Sequence, residues 1–202
     1  FTFYSSETGA TYYLAQDGGS TPSIEQMKVA SGNGGVIADS GSLATSINYN
    51  IINLSGLTEN TSYTVYLFTE DAAGNPSIID SEAFTTLDIT APLLNSINVS
   101  ATVFEANLEF DSDELGTIYY LAQSGGSIPS AAQVENGSGN GGTVAGEGSD
   151  IASVGVNSVN LLGLAANTAY NLYFIVEDAS GNQSLVGSAG ITTMIDNVAP
   201  TL

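Results

Sequence analysis

The chain has 202 residues and a formal net charge of −20, because 21 acidic residues face a single basic one, Lys28. Such a field repels nucleic acid and anionic membrane surfaces, both of which are bound through basic patches. The lack of His and Cys removes Ser–His and Cys–His nucleophilic pairs, thiolate chemistry and the usual zinc ligand sets. With hydrophobic residues at 43% and charged residues at 11%, the chain still has the material for packed cores, unlike an acidic disordered tail.

Its length suits two domains of roughly 100 residues, and an internal repeat says where they lie. Tyr12-Tyr13-Leu14-Ala15-Gln16 recurs as Tyr119-Tyr120-Leu121-Ala122-Gln123. Ser31-Gly32-Asn33-Gly34-Gly35 recurs as Ser138-Gly139-Asn140-Gly141-Gly142, and Glu70-Asp71-Ala72 as Glu177-Asp178-Ala179. All keep one offset, which lengthens by a single residue at Asp88–Pro92 and Asp196–Pro200. A fixed period of this kind marks tandem copies of one structural unit. The boundaries that follow are a first repeat over 1–89, a complete second repeat over 90–197, and the start of a further repeat over 198–202. Phe3 aligns with Phe110, so the first copy is expected to lack the strand that copy two carries near Leu94–Val103. No signal peptide is legible at Phe1, and no apolar run approaches the ~18 residues of a membrane span.

Along each copy, short segments alternate with period two between turn signals, the pattern of an antiparallel sandwich. The clearest runs from Tyr63 to Glu70, with Tyr63, Val65 and Leu67 on one face and Tyr66 and Phe68 on the other. Its partner is Tyr170–Glu177. Asp71-Ala72-Ala73-Gly74-Asn75 then reads as a turn, because Gly and Asn adopt positive φ readily. Between the third and fourth strands lies a helical insert. Ser23-x-x-Gln26 and Ser130-x-x-Gln133 have capping-box spacing, with Pro22 and Pro129 just upstream. The insert is expected to lay Ile24 and Met27, or Ala131 and Val134, over Tyr66 and Phe68, or Tyr173 and Ile175.

Leu57-Thr-Glu-Asn-Thr-Ser-Tyr63 and Leu164-Ala-Ala-Asn-Thr-Ala-Tyr170 resemble the Leu-x6-Tyr signature of fibronectin type III domains. The whole unit is similar to the fibronectin-III-like repeats of large bacterial surface and secreted proteins. That resemblance implies an all-β fold, two tandem Ig-like antiparallel β-sandwiches each with a short helical insert between the third and fourth strands. It also implies a corner tyrosine whose hydroxyl bonds back to the preceding loop. As to role, it implies non-catalytic spacer or stalk repeats of an extracellular adhesin-like protein, with neighbouring repeats as partners. The alternatives are an accessory module binding carbohydrate or a cell-surface protein, and a polymer subunit that exchanges its first strand.

Two candidate sites follow. Asp111, Asp113 and Glu114 form an acidic loop which, in the fibronectin-III topology, neighbours the turn at Asp178 and the linker residue Asp88. Oxygen ligands converging in this way suit calcium, and the competing reading is a solvated acidic loop. Copy one has Tyr4, Ser6 and Glu7 at the loop positions, so the full cluster belongs to one copy. Tyr66 and Tyr173, with Tyr12, Tyr13, Tyr119 and Tyr120 nearby, are candidates for an aromatic patch that stacks sugars; core packing competes for the same rings. No cofactor is required. Lys28 is matched by Glu135, so no lysine chemistry is shared by the copies.

Overall fold

The computed structural model describes residues 1–199; the remainder of the segment read as the start of a further repeat lies outside them. The chain divides into two compact units, Phe1–Ile89 and Thr90–Leu202.

The first unit contains β1 (Thr2–Ser5), β2 (Gly9–Asp17), α1 (Ile24–Lys28), β3 (Val36–Thr45), β4 (Asn48–Ile51), β5 (Ser62–Asp71) and β6 (Asp80–Thr85). β1 pairs with β4, and the other strands form a sheet in the order β3-β2-β5-β6. The second unit contains β7 (Leu94–Ala101), β8 (Glu105–Ser112), β9 (Gly116–Ser124), α2 (Ala131–Glu135), β10 (Thr143–Ala152), β11 (Gly155–Leu162), β12 (Ala169–Glu177) and β13 (Gly187–Thr192). Its sheets run β11-β8-β7 and β10-β9-β12-β13. All pairings are antiparallel. A three-stranded sheet facing a four-stranded one in this order is the fibronectin type III-like arrangement of a β-sandwich.

Period-two alternation puts Leu108, Phe110, Ile118, Leu172, Phe174 and Val176 into one buried cluster between the sheets of the second unit. The residues between them on β12 face outward, and the insert covers them. Tyr173 and Ile175 are packed with Leu121 under Val134. Tyr66 and Phe68 lie with Leu14 under Met27 in the first unit. Each strand of the central pair is therefore buried on both faces. The sequence places Ile24, Met27, Ala131 and Val134 where the structure uses them.

Both inserts are short helices closed by a full capping box. Ser23 Oγ accepts from the Gln26 N–H at 3.2 Å, and the Ser23 N–H donates to Gln26 Oε1 at 2.8 Å. Ser130 and Gln133 repeat this at 3.2 and 2.9 Å. Five-residue helices are too short to hold themselves, so the cap and the buried Met27 or Val134 fix them.

Candidate functional site

The corner tyrosines behave alike in both units. The Thr58 N–H donates to Tyr63 Oη at 3.0 Å, and the Ala165 N–H to Tyr170 Oη at 3.0 Å. Asn60 and Asn167 supply the left-handed residue of the bend, at φ 48° and 49°, a region that Asn tolerates better than most residues.

At one end of the second unit, the loop after β8 meets the turn after β12. Ser112 Oγ donates to Glu114 O at 2.8 Å, which folds the acidic loop back on itself. Carboxylate oxygens of Glu114 and Asp178 come within 4.8 Å of each other. Asp113 Oδ1 accepts from the Leu93 N–H at 2.7 Å. Asp111 sits on β8, opposite Val156 and Asn95. Of the proposed ligands in this unit, then, Glu114 and Asp178 are brought together, whereas Asp113 accepts from the main chain just ahead of β7. Asp88 belongs to the first unit, where its Oδ2 accepts from Asn60 Nδ2 at 3.3 Å.

Asp178 is also the keystone of its turn. Its Oδ1 accepts from the N–H groups of Ser180 and Asn182, both at 2.8 Å, and its Oδ2 from Asn182 Nδ2 at 2.8 Å. Burial alone would raise this carboxyl, but the Asn182, Ser180 and Gly181 hydrogen bonds outweigh it and hold it below its ordinary value. Asp71 makes the same three bonds to Ala73 and Asn75 at 2.9, 2.8 and 2.8 Å. Hydrogen bonds from Asn75 dominate there, and the Asp71 carboxyl is likewise lowered. Glu7 and Asp71 occupy the positions of Glu114 and Asp178, and they line a shallow pocket of about 240 Å³.

The tyrosines proposed as a sugar platform are covered. Tyr66 is 7% exposed and Tyr173 is 4% exposed, because α1 and α2 lie over them. Tyr12 stacks on Phe68, with centroids 5.2 Å apart and planes at 11°, instead of joining Tyr66 in an open patch. Tyr13 and Tyr120 lean over Gly41 and Gly148, where a Cβ would collide with their rings. Burial first, and then Asp39 or Asp150, raises both phenols. The insert covers the outer face that carries Tyr12, Tyr66, Tyr119 and Tyr173, and Tyr120 packs instead against the core between the sheets.

Two residues escaped the sequence reading. Gln16 and Gln123 are completely buried. Gln16 Nε2 donates to Gly18 O and Ser20 O at 2.9 and 3.0 Å, and its Oε1 accepts from the Asn33 N–H at 3.2 Å. Gln123 repeats this with Gly125, Ser127 and Asn140 at 3.0, 2.8 and 3.0 Å. One buried amide thus ties the two glycine-rich segments flanking the insert. A Cβ on Gly35 would strike Gly18 O and Asp17 O, which explains the glycine at that crossing. The signal was available: Gln16 recurs with Tyr-Tyr-Leu-Ala, and Ser-Gly-Asn-Gly-Gly recurs with it.

No protein-family model matches the chain, and no curated protein matches it. Among solved structures, it is similar to the crystal structure of chicken CNTN1 FN1–FN3 domains. The identity is 11% and the TM-score 0.40, over 91% of this chain and 56% of that one. The chain thus spans a little over half the length of that structure. The fibronectin type III-like description rests on the strand order within each unit. Among the described residues, no helix is long and apolar enough to cross a membrane.

Proposed function

We propose that the chain is a non-catalytic spacer segment of an extracellular bacterial surface or secreted adhesin-like protein. One observation supports it above the others: the polar residues repeated in both units do structural work inside their own unit. The corner tyrosine holds a bend, the aspartate closes a turn, and the buried glutamine ties two loops. A repeat that preserves its scaffold and varies elsewhere suits a part whose task is length and stiffness. Single-molecule pulling tests this reading. A spacer gives two separate unfolding events, each releasing roughly 30 nm of chain at up to ~3.6 Å per residue. Featureless stretching at negligible force would overturn it.

A second reading, calcium at the acidic pole of the second unit, is favoured by the approach of Glu114 to Asp178. Two carboxylates at this distance repel, and a hard divalent cation with oxygen ligands relieves that repulsion. Titration with millimolar calcium is expected to raise the melting midpoint of the second unit, and Glu114→Gln to remove the rise. An unchanged midpoint would exclude calcium here.

A further inference from the structure

We propose that the second unit carries a docking groove between the start of β7 and the segment leading into β13. Its occupant is a partner's polypeptide segment that combines aliphatic side chains with lysine or arginine. A groove of about 360 Å³ lies there, lined by Pro92, Leu93, Leu94, Ile97, Leu185 and Val186 among others. All of these residues belong to one unit. Leu185 is 90% exposed and Leu93 57% exposed, although every strand of this unit's sandwich is in place and paired. Single exposed aliphatic residues are ordinary, but a group of them lining one groove marks an interaction surface.

The main chain holds these side chains outward. Ser184 is buried, and its N–H donates to Val176 O at 2.9 Å. Its Oγ accepts from the Val176 N–H at 3.0 Å and donates to Leu185 O at 3.0 Å. Val186 packs beside Leu121 and Tyr173. With Ser184 and Val186 both engaged inward, Leu185 between them is left outside. β7 reaches the same end by another device. Leu94 and Val99 both pack against the core, a spacing that unbroken period two cannot provide. A bulge between Asn95 and Asn98 takes up the extra residue, with Ser96 at φ 52°, a left-handed conformation uncommon outside glycine. Bulges re-aim side chains, and this one delivers Ile97 to the groove.

Charge narrows the occupant. Lys28 lies in the first unit, so every charged side chain of the second is a carboxylate. Two residues of the groove hold such carboxylates at its rim. The Leu93 N–H donates to Asp113 Oδ1 at 2.7 Å. Gln183, which also lines the groove, donates to Glu177 Oε2 and Glu135 Oε2 at 2.6 and 2.9 Å. An apolar floor with an anionic rim selects a segment whose aliphatic side chains enter the groove and whose cationic ones meet the rim. A second copy of this chain, itself at −20, is repelled. This inference goes beyond the spacer reading and does not depend on it.

A display library of short random peptides, panned on the 202-residue chain, tests the proposal. A chelator in the buffer keeps calcium out of the result. Counter-selection against Leu93→Asn and Leu185→Asn, which alter no charge, removes peptides drawn by the net field alone. Both residues are mostly exposed, so both variants are expected to keep the parent's melting midpoint. Surviving peptides are expected to carry aliphatic residues beside Lys or Arg and to bind one to one. Their affinity for the parent should exceed that for either variant by roughly tenfold or more, the worth of one buried leucine. They should also shift the amide resonances of Leu93, Ile97 and Leu185. No surviving peptide, survivors without basic residues, shifts confined elsewhere, or equal affinity for parent and variants would each overturn the proposal. So would pairing of two chains through this groove.

Discussion

Lys28, at the end of α1, forms an ion pair with Glu70 on β5, and the second unit replaces that lysine with Glu135. Two glutamates then stand together, and Gln183 bridges them, its Nε2 donating to Glu177 Oε2 at 2.6 Å and to Glu135 Oε2 at 2.9 Å. The first unit has Pro76 where the second has Gln183. Hydrogen bonding to Glu70 raises the Lys28 ammonium above its ordinary value of 10.5. Stability from that pair is therefore complete below the unfolded value and is lost as pH rises through the folded one.

Charge reversal at this contact tests the bridge. Lys28→Glu alone puts like charges together without a donor, and the melting midpoint of the first unit is expected to fall. Adding Pro76→Gln is expected to restore most of the loss, a non-additive result that marks direct coupling. Additive effects of the two changes would show that the residues do not communicate. The effect should be modest and salt-sensitive, since exposed ion pairs are weak.

Acid should loosen both Asp turns in the same way. Asp71 and Asp178 have folded values below the ordinary 3.8, so they stabilise above the unfolded value and cease to as pH falls through the folded one. Asp71→Ala and Asp178→Ala are each expected to lower the melting midpoint at neutral pH. The deficit relative to the parent should shrink once both proteins are taken well below pH 3.8. A deficit of constant size across that range would assign the loss to backbone shape instead of the ionised carboxylate.

Gln123 permits a sharper measurement, because its amide is wholly enclosed. Gln123→Leu keeps the volume but strands two carbonyls and the Asn140 N–H. The expected loss is about 2–4 kcal/mol, the range for several buried groups left unsatisfied. Denaturant melts give this directly. Faster exchange at the Ser127 and Asn140 amides would place the damage at the two tied loops.

What could be read from the sequence follows physical lines. The alternating strands, the capped insert and the corner tyrosine were legible because each is written as a local pattern: period two, Ser-x-x-Gln, Leu-x6-Tyr. The acidic pole was half legible. Topology brings Glu114 to Asp178, yet whether a carboxylate is spent on a main-chain donor, as Asp113 is on the Leu93 N–H, depends on backbone geometry that spacing does not encode. For the tyrosines the sequence offered two readings at once, a sugar-stacking patch and coverage by the insert. Tyr66 and Tyr173 face outward on their strands, and Met27 and Val134 pack over them. Gln16 was overlooked because a polar residue in a strand reads as solvent-facing until its hydrogen-bond partners are placed.

The centre of the first unit holds a last difference between the copies. Thr11 Oγ1 is shared with Thr45 Oγ1 at 2.5 Å and with Thr69 Oγ1 at 2.7 Å. The second unit has Ile118, Ala152 and Val176 at these positions, all buried. One unit therefore closes this part of its core with hydroxyls and the other with hydrocarbon. Thr11→Val removes the shared hydroxyl and leaves two partners short, an expected loss of about 1–3 kcal/mol. The triple change Thr11→Ile, Thr45→Ala and Thr69→Val removes every polar group at once and copies a packing that the second unit already uses. It is expected to recover most of that loss, or to exceed the parent in stability, because apolar replacement of a whole hydrogen-bonded set can be neutral or better. Denaturant titration of the single and triple variants decides the matter. A triple variant less stable than Thr11→Val would mean that the first unit's backbone has adapted to its hydroxyls and cannot accept its sister's core.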